Sequence, residues 1–512
     1  MKFRVAAVTS VCSERHGSSD ISSDFKLDSC MFFRLLHFKC PLLFAAIVVP
    51  VACWLTPSSV HAIESARPNV ILIMVDDLGY NDLSGFGHPE IKTPVLDQLA
   101  REGVRLTNYY SGASVCTPSR MALLTGCYPV RMGWKQGVVG YKMGLRDGLH
   151  PDAVTMAEVF QAAGYVTAMS GKWHLGSDSP CRPHRQGFDS AYYIDKSNNQ
   201  TRQVWRDDEV VDEKFVNRHL TEQFTEEAVG FIKQNSRQPF FLYLPYTAPH
   251  FPVEAHPDWK GTSSFGAYGD VVEEVDARIG TILATLTEQG IGENTIVLFC
   301  SDNGPQPGQA ARAFPFRGMK WSALEGGTRV PCMIRWTGKI PAGRSTDQVV
   351  TAMDLFPTLC ELAAINLQDS LGKLQRRSDP KKNVALQHLD GRSVAKVFLG
   401  TKASLPEREL LYWHGMGELQ AIRQGPWKLF LDRKATVSGL GVDGQLPVDQ
   451  REALEVLTQG KGPVLFNLAE HKNELLDYSV QRPGIVKQLS ELAERKLDET
   501  RQGTVPLWQP GK

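Results

Sequence analysis

The segment Cys116–Arg120, which reads CTPSR, combines a nucleophilic thiol with the start of a predicted helix. Thr117 and Pro118 are typical of an N-cap and a first helical position, and Gly126 predicts the end of the helix. The free amides and positive dipole end of a helix N-terminus favour an anion, either a thiolate or a bound oxyanion. Cys116 is therefore a candidate nucleophile, although a capped helix with a buried cysteine would explain this segment by itself.

Two groups of oxygen ligands follow separate apolar runs of the chain. Asp76 and Asp77 come directly after Val70–Val75, and Asp302 and Asn303 follow a second apolar run. Adjacent carboxylates at the end of a buried strand are costly unless a cation neutralises them. Oxygen ligands without clustered histidine or cysteine suit calcium or magnesium better than zinc. These four residues are candidate metal ligands, although a helix cap or a loop salt bridge would explain the first pair by itself.

Basic residues stand at three further places. Lys172 and His174 lie two positions apart, so both side chains point the same way on an extended strand end. His250 lies between two prolines, in a loop that would fix the direction of its imidazole. Lys320 precedes a glycine-rich stretch that holds Arg329, which we interpret as structural. A lone Lys-x-His pair is more often a solvated edge, so these residues carry weight only together.

The chain around these positions predicts an α/β fold, with a large domain whose mostly parallel central sheet is flanked by helices. The predicted strands are 70–75, 165–169, 240–244 and 295–299, and the predicted helices are 94–102, 153–163 and 270–289. In open α/β sheets, ligands bind beyond the carboxyl ends of the strands. The polar residues described above follow these ends, which predicts one shared cleft.

The chain after about residue 400 predicts a smaller C-terminal α+β domain with an antiparallel sheet. Its predicted elements are three short strands and a final helix, at 409–413, 419–423, 427–431 and 484–500. The polar, basic segment 366–387 is interpreted as a linker or a surface excursion. The predicted organisation is a leader at 1–62, a catalytic domain at 63–404 and the small domain at 405–512.

Composition and the N-terminus narrow the class of protein. The chain has 56 basic and 56 acidic residues, so it lacks the positive field that nucleic-acid binders use. A basic stretch, the apolar run Leu42–Leu55 and small residues up to Ala62 predict a signal peptide cleaved after Ala62. The run is shorter than the ~20 residues of a membrane span, so we expect no stable membrane insertion, with an uncleaved anchor as the alternative. We expect a secreted or periplasmic protein whose translation starts at Met31.

Motifs spread from about residue 68 to 335 resemble those of the sulfatase family. Cys-x-Pro-x-Arg at 116–120, continued by Leu-x-x-Gly, is similar to the formylglycine signature of that family. Asp-Asp-Leu-Gly at 76–79 and Ser-Asp-Asn-Gly at 301–304 resemble its metal-binding motifs. Gly-Lys-Trp-His-Leu-Gly at 171–176 resembles its sulfate-binding motif. These matches run in order along the chain, which makes the resemblance specific.

The resemblance implies a formylglycine-dependent, arylsulfatase-like enzyme with an alkaline-phosphatase-type fold. A formylglycine-generating enzyme would convert Cys116 to an aldehyde, and one hydroxyl of its hydrate would attack the sulfur of a sulfate monoester. His250 would protonate the leaving oxygen, and His174 or Asp302 would accept the proton of the second hydroxyl as sulfate leaves. The implied catalytic set is Cys116, Arg120, Lys172, His174, His250 and Lys320. The implied ligands of one Ca2+ are Asp76, Asp77, Cys116, Asp302 and Asn303.

The substrate is predicted by class, as a sulfated carbohydrate or an aryl sulfate. The predicted specificity residues are the loop Tyr141–His150 together with Trp413 and His414. A phosphate or phosphonate ester hydrolase of the same fold is the nearest rival, because the same cations would hold a phosphoryl group. A non-catalytic sulfoglycan-binding homologue is the rival from another class, and the complete residue set disfavours it.

Overall fold

A computed structural model describes residues 67–141, 147–377, 389–438, 451–502 and 504 of the chain. The predicted leader, the cleavage after Ala62 and the start at Met31 lie outside these residues. Positions 142–146 of the predicted specificity loop and 378–388 around the predicted linker lie outside them too. The described residues all belong to one compact unit, and the boundary between residues 404 and 405 stays a prediction.

The strands of the described chain alternate with its helices over most of the length. They are β1 (Asn69–Val75), β2 (Val104–Leu106), β3 (Tyr109–Tyr110), β4 (Val166–Lys172), β5 (Ser190–Ile194), β6 (Val204–Arg206), β7 (Glu209–Asp212), β8 (Phe240–Pro245), β9 (Thr295–Ser301), β10 (Cys332–Arg335), β11 (Arg344–Thr346), β12 (Val350–Thr351), β13 (Glu409–Trp413), β14 (Leu419–Gln424), β15 (Trp427–Phe430) and β16 (Val464–Asn467).

The helices are α1 (Pro94–Arg101), α2 (Cys116–Thr125), α3 (Met156–Ala162), α4 (Leu220–Asn235), α5 (Gly266–Glu288), α6 (Glu325–Thr328), α7 (Ala352–Leu362), α8 (Leu367–Arg377), α9 (Ala395–Phe398), α10 (Lys434–Val437), α11 (Arg451–Gln459) and α12 (Pro483–Arg501). Among the described residues, none of these helices has both the length and the apolar character that crossing a membrane requires.

Ten of the described strands form one mixed sheet, in the order β11-β2-β10-β9-β1-β8-β4-β5-β6-β7. Its five central strands, from β9 to β5, all run parallel, whereas β10, β6 and β7 pair antiparallel with their neighbours. The apolar run of β1 is buried along its whole length, as expected of a parallel strand covered on both faces. The predicted α/β class is therefore confirmed.

Two hydrophobic cores lie on opposite faces of this sheet, because alternate side chains of each strand point in opposite directions. Leu72 of β1 packs into one core with α2, α3 and α7. Ile73, its neighbour, packs into the other core with α1, α4 and α5. Burial of one such side chain contributes roughly 1.5–3 kcal/mol, so the two layers hold the strand ends firmly in place.

Two local predictions are corrected by the structure. α3 begins at Met156 rather than at Ala153, because Thr155 and Glu158 form a capping box. The Thr155 hydroxyl accepts from the Glu158 amide at 3.1 Å, and the Glu158 carboxylate accepts from the Thr155 amide at 2.7 Å. The first part of the predicted linker is the helix α8, whose Leu371 is buried in the core.

The last four strands form an antiparallel sheet in the order β13-β14-β15-β16. The predicted antiparallel sheet is confirmed, and β16 adds a fourth strand to the three that were predicted. Leu411 on one face packs with Leu489 of α12. Tyr412 on the opposite face packs with Tyr110 and Leu324, which belong to the part of the chain that carries the large sheet. This smaller sheet is therefore held between α12 and the rest of the described chain.

Candidate active site

The candidate site lies where the parallel strands β1, β4, β8 and β9 end. Asp76 and Asp77 follow β1, Lys172 is the last residue of β4, and Asp302 follows β9. His250 lies in the loop after β8. The carboxyl ends of adjacent parallel strands meet at one edge of a sheet, which is where ligands bind in such folds. The fold therefore brings the predicted strand-end residues into one cleft.

Cys116 is the first residue of α2, and its side chain is buried against Asp76. The Cys116 thiol donates to Asp76 Oδ1 at 3.3 Å, and Lys172 Nζ lies 2.5 Å from Asp76 Oδ2. Burial raises the pKa of Asp76, but the surrounding cations, Lys172 foremost, outweigh it and hold this pKa well below its usual range. Asp76 is thus a carboxylate that stays charged beside the thiol.

Asp77 has a positive φ of 67°, which is uncommon for a residue other than glycine. Its Oδ1 accepts from Asn303 Nδ2 at 2.7 Å, and its Oδ2 accepts from Lys320 Nζ at 2.8 Å. Its backbone amide donates to Asp302 Oδ1 at 3.2 Å. His250 Nε2 lies 3.7 Å from Asp77 Oδ2. The strained backbone is therefore held by contacts to the other site residues.

Arg120 lies on α2 one turn after Cys116 and is completely buried. Its Nε and Nη2 donate to Asp302 Oδ2 at 3.1 and 2.7 Å, and its Nη1 donates to the Lys172 carbonyl at 2.8 Å. Burial and the nearby carboxylate of Asp76 nevertheless raise the pKa of Asp302. Arg120 thus fixes α2 to the ends of β4 and β9, although its charge does not outweigh the burial of Asp302.

The acidic group fits a hard cation. Carboxylate oxygens of Asp76, Asp77 and Asp302 lie within 4.8 Å of one another. Asn303 Oδ1 is buried and accepts no hydrogen bond from any residue that the structure describes. An orphaned buried acceptor costs about 1–3 kcal/mol, and a bound cation would remove that cost. Four hard oxygen donors are the set that calcium or magnesium prefers.

His174 is buried beside Lys172 with a positive φ of 59°. Its Nε2 lies 3.1 Å from the Val139 carbonyl, which can only accept, so Nε2 carries the proton. Its Nδ1 is buried and has no hydrogen-bond partner among the described residues. Burial, followed by the charge of Lys172, holds the pKa of His174 well below its usual range. A neutral His174 therefore offers a free acceptor nitrogen.

His250 is oriented by its neighbour in the loop after β8. Its Nδ1 lies 2.7 Å from the Phe251 carbonyl, so the neutral ring carries its proton there and leaves Nε2 as an acceptor. Burial, followed by the charge of Lys320, lowers the pKa of His250 to about 4. The negative charge of an arriving anion would raise this pKa, and His250, once protonated from solvent, would then be a proton donor.

The helix that carries Cys116 begins earlier than the sequence predicts. Val115 is the N-cap and Cys116 is the first helical residue, which corrects the prediction that Thr117 caps the helix. Thr117 instead donates through Oγ1 to the His174 carbonyl at 2.9 Å. Burial and the charge of Asp76 raise the pKa of Cys116 to about 12, so the thiolate considered above is disfavoured.

Ser197 lies in the site, although it was not predicted from the sequence. Its Oγ accepts from Lys172 Nζ at 2.6 Å and lies 3.5 Å from His250 Nε2. It follows β5, which was not predicted as a strand. Strand-end site residues were sought only after predicted strands, so Ser197 was not considered. A search for polar residues after the apolar run Ala191–Ile194 would have found it.

An aromatic wall, formed by Tyr141, Trp321 and His414, stands next to the charged residues. Trp321 follows Lys320 directly, and its ring centroid lies 5.4 Å from that of Tyr141 and 6.2 Å from that of His414. Tyr141 is 51% exposed. Trp413 is instead buried in the core under the small sheet, which corrects its prediction as a specificity residue. The wall is therefore contributed by three separate segments.

The fold and the site together define a hydrolase of anionic esters. Residues 68–365 match the model of the sulfatase family. The chain is 32% identical to the arylsulfatase of Hemicentrotus pulcherrimus over 454 residues, which cover 82% of this chain and 79% of that protein. It is 36% identical to the N-acetylgalactosamine-6-sulfatase of Canis lupus familiaris over 396 residues, which cover 70% and 71% of the two chains.

A solved structure supports the same fold. The PsFucS1 sulfatase from Pseudoalteromonas sp. superposes with a TM-score of 0.73 and 24% identity, covering 86% of this chain and 91% of that chain. The chain belongs to the sulfatase family, and it is an enzyme that hydrolyses sulfate esters.

Proposed function

We propose that this enzyme releases inorganic sulfate from a sulfated carbohydrate, through a formylglycine made from Cys116 and with one bound Ca2+. The observation that carries the proposal is the contact of the buried Cys116 thiol with Asp76, at 3.3 Å, inside a cluster of hard oxygen ligands. Cys116, Asp76, Asp77, Asp302 and Asn303 are the proposed ligands. Formylglycine would supply a hydrated aldehyde, with one hydroxyl to attack sulfur and a second whose deprotonation expels sulfate.

The charges of the site favour an anionic substrate once the metal is present. The site holds three carboxylates and three cations. The carboxylates are those of Asp76, Asp77 and Asp302, and the cations are Arg120, Lys172 and Lys320. The histidines are neutral, so a divalent cation would leave a surplus of two positive charges in a buried cleft. Lys172 and Lys320 could then turn from the carboxylates to the sulfate oxygens, where fixed cations stabilise charge best.

The two histidines have complementary proton states. His174 Nδ1 is an unused acceptor, which suits it to remove a proton near Cys116. His250 Nε2 faces Ser197 across 3.5 Å, and an anionic ester beside it would raise its lowered pKa. His250 is therefore the proposed donor to the leaving oxygen. Its donor nitrogen is fixed by the contact of Nδ1 with the Phe251 carbonyl.

The aromatic wall supports a sugar as the leaving group. Trp321 is tied to the nucleophile segment, because its amide donates to the Ser114 carbonyl at 2.9 Å. A Cβ added at Gly137 or Gly415 would meet the Trp321 ring at 3.2 or 2.9 Å, so both glycines let the ring lie close to the backbone. A flat, partly exposed ring next to Lys320 can stack against the apolar face of a sugar.

Maturation of Cys116 has a structural requirement. The side chain is 1% exposed in the folded protein, so a formylglycine-generating enzyme could not reach it there. We therefore propose that modification precedes folding, during export of a chain whose signal peptide is cleaved after Ala62. The mature enzyme would then be secreted or periplasmic.

Matched esters of one alcohol test this proposal directly. We expect kcat/KM for 4-nitrophenyl sulfate to exceed that for 4-nitrophenyl phosphate by at least about 100-fold, roughly 2.7 kcal/mol, with a sulfated N-acetylgalactosamine preferred over both. Cys116→Ser lacks the second hydroxyl and should trap sulfate with almost no turnover. A preference for phosphate would favour the phosphate or phosphonate hydrolase. Tight binding of sulfated glycans without turnover would favour the binding protein.

A further inference from the structure

A second group of metal-ligand side chains lies outside the catalytic cleft, at the start of α4. The ligand atoms of His219, Glu222 and His256 all lie within 4.8 Å of one another. His256 Nε2 is 3.3 Å from Glu222 Oε2, and His219 Nδ1 is 3.8 Å from the same oxygen. The donor atoms around a tetrahedral zinc ion, with bonds of about 2.0–2.2 Å, lie roughly 3.3 Å apart. A small rotation of the His219 ring would therefore complete three sides of such a site.

Asp258 lies beside Nδ1 of His256, the ring nitrogen that does not face Glu222, and supports metal binding through Nε2. Its Nδ1 lies 3.3 Å from the Asp258 amide and 3.3 Å from Asp258 Oδ2. In the neutral ring with its proton on Nε2, Nδ1 accepts a hydrogen bond from the Asp258 amide. When Nε2 binds a metal the proton moves to Nδ1, and the Asp258 carboxylate is then in place to accept it. A carboxylate behind a metal-bound histidine fixes its tautomer and raises its basicity.

The charges around this group suit a divalent cation. Arg278 Nη2 donates to Glu222 Oε1 at 3.0 Å, and this contact leaves Oε2 toward the two histidines. Arg278 Nε also lies 3.6 Å from Glu274 Oε1. The carboxylates of Glu222, Glu274 and Asp258 exceed the single arginine by two charges. Two imidazoles and one carboxylate prefer Zn2+ or a similar ion, whereas the catalytic cleft offers the oxygen ligands that Ca2+ prefers.

The same two segments are already joined near the catalytic histidine. Asn217, just before His219, donates through Nδ2 to the Pro252 carbonyl at 3.0 Å and to Glu254 Oε2 at 3.2 Å. His250 and His256 stand at the two ends of the loop that contains these acceptors. An ion shared by α4 and His256 would therefore fasten the far end of the loop that positions His250.

We propose that His219, Glu222 and His256 bind one transition-metal ion of the Zn2+ type, and that this ion fixes the loop His250–Pro257 against the start of α4.

The test is Zn2+ titration of the full-length mature enzyme against a chromophoric chelator, with saturating Ca2+ present. We expect the wild-type protein to bind one Zn2+ that the double variant His219→Ala/His256→Ala no longer binds. Asp258→Asn should weaken binding by about 10-fold, because it removes only the negative charge behind the ligand His256. His471→Ala, at an exposed histidine elsewhere on the chain, should bind as the wild type does.

Amide hydrogen exchange tests the effect of the ion on the loop. Addition of Zn2+ should slow exchange in 250–257 in the wild type and in His471→Ala, and should have no effect in the double variant. Equal Zn2+ affinity in the wild type and the double variant would overturn the site. Binding lost in Asp77→Asn instead would place the zinc on the catalytic oxygens and would also overturn it. Zinc binding with unchanged exchange would overturn the role of the ion in fixing the loop.

Discussion

Two buried ion clusters in this molecule are similar in composition and differ in their surroundings. The catalytic cluster lies at the ends of β1, β4 and β9, and it consists of Asp76, Asp77, Asp302, Arg120, Lys172 and Lys320. The interface cluster lies between α6 and the small sheet, and it consists of Glu325, Glu474 and Lys428. Lys428 Nζ lies 3.0 Å from Glu325 Oε1 and 2.9 Å from Glu474 Oε1.

Glu325 in the interface cluster accepts hydrogen bonds from neighbouring side chains. Tyr110 donates to its Oε2 at 2.6 Å, and Arg329 Nη1 lies 3.3 Å from the same oxygen. Burial raises the pKa of Glu325, but Lys428 and then Arg329 outweigh it and lower this pKa to about 2. This arrangement is that of a structural ion pair, in which removal of one partner leaves a buried charge exposed to an apolar environment.

The catalytic cluster keeps unused hydrogen-bonding capacity. Asn303 Oδ1 and His174 Nδ1 are buried without a partner among the described residues. Asp77, His174 and Trp321 all have positive φ values. Unsatisfied polar groups and strained backbone are both costly for the fold. They therefore persist mainly where function requires them, and so they concentrate at functional sites.

Glu474 of the interface cluster also has a positive φ, of 54°, and its Oε1 also lacks a hydrogen-bond partner among the described residues. That carboxylate oxygen nevertheless lies 2.9 Å from Lys428 Nζ, so its charge is compensated. Buried charge and strained backbone therefore do not mark the site, whereas the unused neutral acceptors Asn303 Oδ1 and His174 Nδ1 do.

The largest expected effect separates activity from stability. Asp77→Asn removes a proposed metal ligand and should lower kcat/KM by at least about 1,000-fold, because a bound cation is worth several kcal/mol in the transition state. The free energy of unfolding in EDTA should change by less than about 1 kcal/mol, since removal of one of three crowded carboxylates offsets the contact that is lost to Lys320 or to Asn303. Asp498→Asn, at an exposed residue of α12, serves as the matched control for both measurements. Activity of Asp77→Asn within tenfold of wild type would contradict the comparison.

The interface cluster should show the opposite pattern. Lys428→Met leaves Glu325 and Glu474 buried without their shared cation, and should lower the free energy of unfolding by about 3–5 kcal/mol in urea titrations. The folded fraction should retain kcat/KM within about threefold. Addition of Glu474→Gln should restore part of the stability. A loss below about 1 kcal/mol would mean that this cluster is not a structural ion pair.

Removal of calcium should affect only the catalytic cluster. At a concentration 100-fold above its Kd, a ligand that binds only the folded state stabilises it by about 2.7 kcal/mol. Added Ca2+ should therefore raise the Tm of the metal-free wild type and of metal-free Lys428→Met, and should leave metal-free Asp77→Asn unchanged. Thermal scans with and without added Ca2+ measure this. An equal response in all three proteins would place the cation elsewhere.

The smallest effect concerns Glu158, a mostly buried carboxylate that accepts a hydrogen bond from the Thr155 amide. Burial raises the pKa of Glu158 to about 7. The folded state then holds its proton more tightly than the unfolded state, so stability falls by up to about 1.4 kcal/mol per pH unit as pH rises from about 4.5 to 7. Glu158→Gln keeps the capping box and should remove this slope in denaturation curves taken across that range. An unchanged slope would contradict the raised pKa.

The sequence predicted much of the fold, because four of the five central strands, β1, β4, β8 and β9, contain apolar runs long enough to be recognised alone. Short or polar elements were missed, as with β10 and α8, since tertiary packing rather than local propensity decides them. The site residues at strand ends followed from the fold class. Ser197 was missed because β5 was not recognised as a strand. The pairing of Lys428 with two glutamates could not be predicted, because it depends on contacts between segments that no local pattern links.

The central claim is that the nucleophile is a formylglycine at position 116. Peptide mass spectrometry of the secreted protein, made in a host that modifies sulfatases, measures this directly. The proposed mechanism predicts that the peptide containing residue 116 has lost sulfur and carries an aldehyde, in a fraction that matches the fraction of active enzyme. An unmodified Cys116 in fully active protein would contradict it.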